Sequence, residues 1–250
     1  MLARCTLTTL LLTTTALFAQ TGMEQMMKQY GAAANVKVED DNDPFVANTF
    51  VGSLTMEMQA WENGKAATEK PMEVHVWNSE SKTLTEFSAG EGKSMKMLND
   101  LKGKWTYMLM EDAKGGKMAM KTHKKKVTYT GDDSKEQDDW KVNTTGETKT
   151  IDGHVCTKVV GSGKEGTWTA WVAKDLQIDL GQMMGGMGSG GKNASAWNDV
   201  KGFPLEMEMK DEKGNTTMRM QAKDIHVGAV DEAVFSLAGY QVMEMPSLGR

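Results

Sequence analysis

The sequence is poor in the residues that build catalytic and metal sites. Its 250 residues include two cysteines and four histidines, and His75, His123, His154 and His226 lie far apart. No two histidines have the spacing of a zinc site, and no Gly-x-Ser-x-Gly nucleophile motif occurs. We therefore expect a binding protein and not an enzyme, with no cofactor.

One of the two cysteines, Cys5, falls in a segment with the features of a secretory signal peptide. Arg4 precedes an uncharged apolar run over 7–18, which is shorter than the roughly 20 residues that a bilayer requires. Ala19 is a small residue, so we predict cleavage after it and a signal peptide over 1–19. Cys5 precedes the apolar run and makes no lipid-attachment motif. The sequence predicts a periplasmic or secreted protein that is neither a lipoprotein nor membrane-spanning.

The mature chain also has too few cysteines for an internal disulfide and no large excess of charge. Cys156 would be its one cysteine, so an apolar core must hold the domain together. The formal net charge of the whole sequence is −5 at pH 7. A mildly acidic surface disfavours nucleic acid as a partner. We interpret the basic run 124–126 as a solvated loop.

A helical period occurs near the N-terminus and predicts a short amphipathic helix over about 22–34. Its apolar face consists of Met23, Met26, Met27 and Tyr30. The acidic residues 39–43 then predict a solvated linker, because they lack the glycine and the distant glutamate of a calcium loop. Helix and linker together give an N-terminal segment over 20–44.

From about residue 48 the apolar period changes to two, which is typical of half-buried antiparallel strands. In the first such strand Leu54, Met56 and Met58 share one face. Further strands are predicted at 72–78, 94–99, 105–111, 117–121, 126–130, 153–160, 167–173, 203–210, 215–226 and 240–245. Turn residues separate these stretches, and none of the separating segments is long enough for repeated βαβ crossovers. We expect one mainly β domain over 45–250, interrupted by a Gly- and Met-rich loop at 183–193.

Methionine is the residue in excess, with 22 copies. Seven Met-x-Met pairs occur, and a spacing of two on a strand places both side chains on one face. The pairs are Met56/Met58, Met95/Met97, Met108/Met110, Met118/Met120, Met207/Met209, Met218/Met220 and Met243/Met245. The spacing also predicts two hairpins. Across Gly115, Met108/Met110 would face Met118/Met120, and across Gly214, Met207/Met209 would face Met218/Met220.

Three interpretations of these methionines are open. Burial of one methionine stabilises a fold by roughly 1.5–3 kcal/mol, so most of the paired ones must be covered by protein or by a ligand. The first interpretation is an adaptable apolar surface for a lipid or acyl chain, since unbranched thioethers suit irregular partners. Its residues would be Met56, Met58, Met108, Met110, Met118, Met120, Met207, Met209, Met218 and Met220.

The second interpretation is a Cu(I) site, because thioethers select that ion. Its ligands would come from the glycine-rich loop and one strand, namely Met183, Met184, Met187, His154 and Cys156. The third is an ordinary core, in which methionine replaces leucine and valine in a structural or interaction module.

The seven tryptophans divide between predicted strands and loops. Four are predicted to fill the core: Trp77, Trp105, Trp168 and Trp171. Three lie near strand ends or in loops: Trp61, Trp140 and Trp197. An exposed indole at a groove mouth would suit an amphipathic ligand, although core packing is the more common use of the residue.

Several motifs of the second half resemble a known family. They are residues 145–156 (TGETKTIDGHVC), 169–176 (TAWVAKDL), 202–207 (GFPLEM) and 235–240 (FSLAGY). Together they resemble the exported bacterial family known as domain of unknown function 4412, over roughly 45–246. That family is similar to the LolA/LppX-like lipoprotein carriers. The resemblance implies a curved antiparallel half-barrel sheet around an apolar cavity, with a short N-terminal helix over its opening. It implies acyl chains or an envelope protein as partners and identifies no catalytic residue.

Overall fold

The structure is a computed structural model that describes residues 36–89, 93–111, 115–129, 140–178 and 200–245. The predicted signal peptide over 1–19, the predicted helix over 22–34 and the loop at 183–193 lie outside the described residues.

Fifteen strands make up most of the described chain. They are β1 (Val36–Asp40), β2 (Gly52–Glu62), β3 (Lys65–Ala66), β4 (Met72–Asn78), β5 (Lys82–Ala89), β6 (Lys93–Asp100), β7 (Trp105–Glu111), β8 (Lys117–His123), β9 (Lys125–Tyr129), β10 (Lys141–Ile151), β11 (His154–Gly163), β12 (Gly166–Ala173), β13 (Phe203–Lys210), β14 (Thr216–Val227) and β15 (Gln241–Glu244). One 3-10 helix, Glu232–Phe235, precedes β15. The prediction of a mainly β protein is confirmed.

One large curved sheet contains thirteen of these strands and does not close into a barrel. The order of neighbouring strands is β10-β11-β12-β13-β14-β2-β4-β5-β6-β7-β8-β15, and β3 pairs with β2 off this path. Every ladder in the sheet is antiparallel except that β15 runs parallel to β8. The curved antiparallel sheet expected from the sequence is therefore confirmed, with one parallel strand added at its edge.

Both predicted methionine hairpins are present. Met108 pairs with Met120 and Met110 with Met118 across the β7–β8 turn. Met207 pairs with Met220 and Met209 with Met218 across the β13–β14 turn. Gly115 and Gly214 lie in these turns with φ of 82° and 81°, a left-handed conformation that glycine adopts without steric cost. The turn residues thus fix the register that aligns the methionines.

The acidic residues 39–43 are not a solvated linker throughout. Residues up to Asp40 belong to β1, which pairs with β9 in a separate two-stranded ladder. Asp41 is buried, and its carboxylate accepts hydrogen bonds from Lys124 and Lys104. The basic run 124–126 is likewise no free loop, because Lys124, Lys125 and Lys126 pair with Asp41, Asp40 and Asp43.

The sheet carries apolar clusters on both of its faces. Leu84, Leu98 and Leu109 pack against Phe235 of the 3-10 helix on one face of β5–β7. On the other face the largest cluster is centred on β2, β4, β13 and β14. Its fully buried members include Met56, Val74, Val76, Phe203 and Leu205. The segment after β14 therefore covers one face of the sheet at β5–β8. Because both faces of these strands are buried, apolar and polar residues do not simply alternate along them.

Candidate functional site

Strand pairing brings the methionines of eight strands to one face of the sheet, here called the methionine face. Paired residues share a face, and alternate residues along a strand do as well. The face contains Met56, Met58, Met72, Met95, Met97, Met108, Met110, Met118, Met120, Met207, Met209, Met218, Met220 and Met243. The register places all ten methionines proposed as ligand contacts on this face.

Burial differs between the members of the methionine face. Met56, Met97, Met120 and Met220 are buried, with 1%, 7%, 5% and 6% of their surface exposed. The other ten are half-buried, and none of the fourteen is fully exposed. A tightly packed core would bury most of its members completely. The methionine face therefore combines a packed centre around β2 with a larger apolar area that keeps part of its surface accessible.

A row of polar residues ends the methionine face at β4–β7. Asn78 pairs with Thr83, Thr83 with Asn99, and Asn99 with Thr106. The first three side chains are buried, and Asn99 Oδ1 accepts a 2.7 Å hydrogen bond from the Thr106 hydroxyl. Asn78 Oδ1 and Asn99 Nδ2 are buried without a hydrogen-bond partner. Buried amide groups without partners are costly, but a ligand group reaches them only if the covering residues move, because Asn48 hydrogen-bonds to Thr83 of this row.

A groove of about 650 Å³ lies over β2 and β11–β14. Its lining includes Glu57, Gln59, Trp61, Lys158, Thr169, Trp171, Glu206, Glu208, Arg219 and Gln221. Each of these alternates in sequence with residues of the opposite, apolar face. The groove is therefore on the side of the sheet opposite the methionine face, although Met207 and Met220 are also among its lining residues. We call it the tryptophan groove, after Trp61 and Trp171.

The carboxylates of the tryptophan groove are all in ion pairs with nearby cations. Glu208 accepts hydrogen bonds from Lys210 and Arg219, and these hold the pKa of Glu208 below its usual value. Glu206 binds Lys149 at 2.5 Å. Lys223 binds Glu57 and lies 3.4 Å from Glu73. Neighbouring strands thus supply ion pairs of both signs, and the groove has no large charge of one sign.

Cations also lie against both groove indoles. Arg219 is 5.4 Å from the Trp61 ring centre, and Lys149 is 4.6 Å from that of Trp171. Such contacts hold an aromatic side chain in place through the electrostatics of its ring. Trp168, by contrast, is 2% exposed and fills the core as predicted. Trp171, also predicted as core, packs against the largest apolar cluster, but it is only half-buried and borders the groove as well.

Two of the residues proposed as Cu(I) ligands, His154 and Cys156, lie in the described ranges, and both make contacts within the protein. His154 Nδ1 lies 2.7 Å from the Asp175 carboxylate. Cys156 is fully buried, its thiol donates to the His154 carbonyl oxygen, and burial raises its pKa. In the described ranges, no group of three or more His, Cys, Asp and Glu side chains is placed to hold a metal ion. Met183, Met184 and Met187 lie outside the described residues.

The architecture is that of an open, strongly β protein in which one large curved sheet presents the methionine face on one side, and on the other side the tryptophan groove and the apolar cluster under the 3-10 helix. Residues 50–240 match the model of the family described as Domain of unknown function (DUF4412). The chain belongs to this family, as the sequence motifs predicted. No curated protein matches the sequence. Among the described residues no helix is long and apolar enough to span a membrane.

Solved structures with similarity to the chain include PNGF-II, at 16% identity over 79% of this chain and 32% of that chain, with a TM-score of 0.36. The MucA/MucB complex of Pseudomonas aeruginosa matches at 12% identity over 76% and 58%, with a TM-score of 0.41. The lipoprotein LppX of Mycobacterium tuberculosis matches at 11% identity over 70% and 86%, with a TM-score of 0.30. The chain spans about a third of PNGF-II and less than two thirds of the matched MucA/MucB chain.

Proposed function

We propose that the protein is a non-enzymatic, exported binding protein that holds a lipid or acyl chain on its methionine face. The observation that carries this proposal is the alignment of fourteen methionines from eight strands on one face of a continuous curved sheet. The proposed location is the periplasm or the cell exterior, in keeping with the signal peptide predicted over 1–19.

The chemistry of methionine suits such a ligand. Its unbranched thioether chain has three rotatable bonds, so neighbouring methionines adjust to alkyl chains of different length and shape. Leucine or valine would present a more rigid surface. The ten half-buried methionines leave apolar area accessible, whereas the four buried ones anchor the face to the core.

The polar row at β4–β7 gives the proposed site an orientation. Asn78 Oδ1 is an acceptor and Asn99 Nδ2 a donor, and both are buried without a hydrogen-bond partner. A ligand with an apolar tail and a carboxyl, ester or amide group would place its tail along the methionines and its polar end at this row, which requires that Asn48 release its hydrogen bond to Thr83. We therefore propose an amphipathic lipid rather than a plain hydrocarbon.

Native mass spectrometry of gently purified protein and titration with cis-parinaric acid test the proposal. We expect a co-purifying lipid mass and a saturable rise in probe fluorescence. Met110→Glu places a carboxylate on the half-buried part of the face, and we expect it to weaken probe binding by about tenfold or more. Met110→Leu keeps an apolar side chain of similar volume and is the matched control, so its affinity should stay near that of the parent.

Two results would contradict the proposal. One is the absence of both a co-purifying lipid and saturable probe uptake. The other is equal probe affinity in Met110→Glu and Met110→Leu, which would show that the probe does not bind to the methionine face.

A further inference from the structure

We infer that the tryptophan groove is a second binding site and that it takes an uncharged oligosaccharide. The groove lies on the face of the sheet opposite the proposed lipid site, so the inference does not depend on the proposed function. It is based on three properties of the groove: the placement of its two indoles, the hydrogen-bonding groups between them and the cancellation of its charges.

The backbone positions of Trp171 and Trp61 lie at opposite ends of a diagonal across the groove. Trp171 is on β12 and pairs with Glu206, which pairs with Gln221, which pairs with Glu57 of β2. Trp61 is four residues further along β2. Three strand spacings of about 4.8 Å and four residues of about 3.3 Å separate the two backbone positions by roughly 19 Å on a flat sheet. This distance suits an extended chain of several sugar rings, with one indole near each end.

Between the indoles the groove presents groups that match sugar hydroxyls. Gln59, Thr169 and Gln221 contribute amide and hydroxyl groups, and Glu57, Glu206 and Glu208 contribute carboxylates. Amides and hydroxyls both donate and accept, whereas carboxylates accept from hydroxyl groups. Sugar rings combine apolar C–H faces with peripheral hydroxyls, so they satisfy a site in which flat aromatic rings alternate with such polar groups.

The charge pattern disfavours strongly charged polymers. The lining carboxylates of Glu57, Glu206 and Glu208 are bound to Lys223, Lys149 and Arg219. An anionic or cationic polymer would have to break these pairs or approach charges of its own sign. An uncharged ligand hydrogen-bonds to the paired groups without displacing their partners. The indoles are already held by cations at 5.4 Å and 4.6 Å, which limits the loss of side-chain freedom on binding.

Titration of the full mature protein with maltohexaose, cellohexaose and chitohexaose tests the inference, with calorimetry and tryptophan fluorescence as readouts. We expect saturable binding of at least one of the three, with a change in indole emission. Trp171→Ala and Trp61→Ala should each weaken that binding by about tenfold or more, since buried aromatic contacts dominate binding energies. Gln221→Ala alters an exposed side chain and provides a groove variant with little risk to folding. We expect it to weaken binding as well.

Trp105→Ala is the matched control. Trp105 is also half-buried and near a lysine, but it belongs to β7, away from the groove. Its saccharide affinity should equal that of the parent. The inference is overturned if none of the three saccharides binds saturably, or if groove and control variants bind equally well. Binding of cis-parinaric acid should be unchanged in the groove variants, which separates failure of this site from failure of the lipid site.

Discussion

Asp41 is held in a buried position by Lys124, and this ion pair connects the end of β1 to the residue that precedes β9. Lys104 approaches the same carboxylate at 3.4 Å, and the backbone N–H of Asp43 donates to it at 3.1 Å. The arrangement ties the two-stranded β1–β9 ladder to the β6–β7 turn of the main sheet. The acidic run 39–43 and the basic run 124–126, which the sequence predicts to be solvated, therefore contact each other.

Replacement of Asp41 by asparagine should destabilise the protein. The side chain is 7% exposed, so removing its charge leaves the ammonium groups of Lys124 and Lys104 without their common partner. We expect a loss of about 1–3 kcal/mol in the free energy of unfolding, measured by urea denaturation. Asp43→Asn removes an exposed partner of Lys126 and is the control, for which little change is expected. Equal stability of the two variants would show that burial of Asp41 adds nothing.

The same carboxylate should make stability depend on pH in the acid range. Desolvation acts to raise the pKa of Asp41, but hydrogen bonds from Lys124, the Asp43 N–H and Lys104 outweigh it and leave the pKa lowered. A lowered folded pKa stabilises the protein above the unfolded value of about 3.9. This contribution is lost as the pH falls below about 4 through the folded pKa. Urea titrations over this range should show a smaller decline for Asp41→Asn than for the parent protein.

Gly161 is expected to be intolerant of even a methyl group. It pairs with Trp168, and a Cβ at this position would overlap the indole ring of that buried tryptophan. Gly161→Ala should cost about 1–3 kcal/mol of stability because the core must shift to accept it. Gly146 lies in the edge strand β10, where a Cβ meets nothing within 4 Å. Gly146→Ala should therefore be nearly neutral in the same thermal or urea melts.

Met56 and Met110 should respond differently to truncation. Met56 is 1% exposed, so Met56→Ala should cost about 2–5 kcal/mol, whereas Met56→Leu should cost less than about 1.5 kcal/mol. Met110 is half-buried, and Met110→Ala should cost clearly less than Met56→Ala. Similar losses at both positions, measured by urea denaturation, would favour a solid core over an accessible methionine face.

Cys156 should be unreactive in the native protein. It is fully buried, and desolvation, with the nearby Asp175 charge, raises the pKa of its thiol. Because the thiolate is the reactive form, we expect Ellman's reagent to label Cys156 only in concentrated guanidinium chloride. Rapid labelling under native conditions would contradict the buried position and would make the thiol available as a metal ligand.

The strands that the sequence predicts well are those with one apolar and one polar face. Met56 and Met58 alternate with Glu57, and the same alternation marks β13 and β14. The strand β5 was not predicted because its apolar residues point both ways. Leu84 packs under the 3-10 helix, whereas Phe87 faces the methionines. The strand β10 was missed because, as an edge strand, it is mostly polar and exposed.

The methionine face could be predicted because methionines recur at every second position of its strands. The tryptophan groove could not be predicted. Ala170, Trp171 and Val172 are consecutive apolar residues, so the sequence does not show which of them faces outward. The neighbours of Trp171 in the groove, Gln221 and Glu57, become neighbours through the pairing of β14 with β2. Pairing between distant segments is decided by the whole sheet and leaves no local pattern.

The pairing of β14 with β2 also affects how the chain folds. Strands β2–β8 and β10–β14 each pair mostly with sequence neighbours, whereas Lys223 and Glu57 meet across 166 residues. We therefore expect each half to form quickly and the pairing of β14 with β2 to be the slow step of folding. Until that pairing forms, the sulfur atoms along the unfinished sheet stay open to oxidants, which convert thioethers into polar sulfoxides. An oxidant present during refolding should therefore modify the buried methionines, such as Met56, far more than one added afterwards.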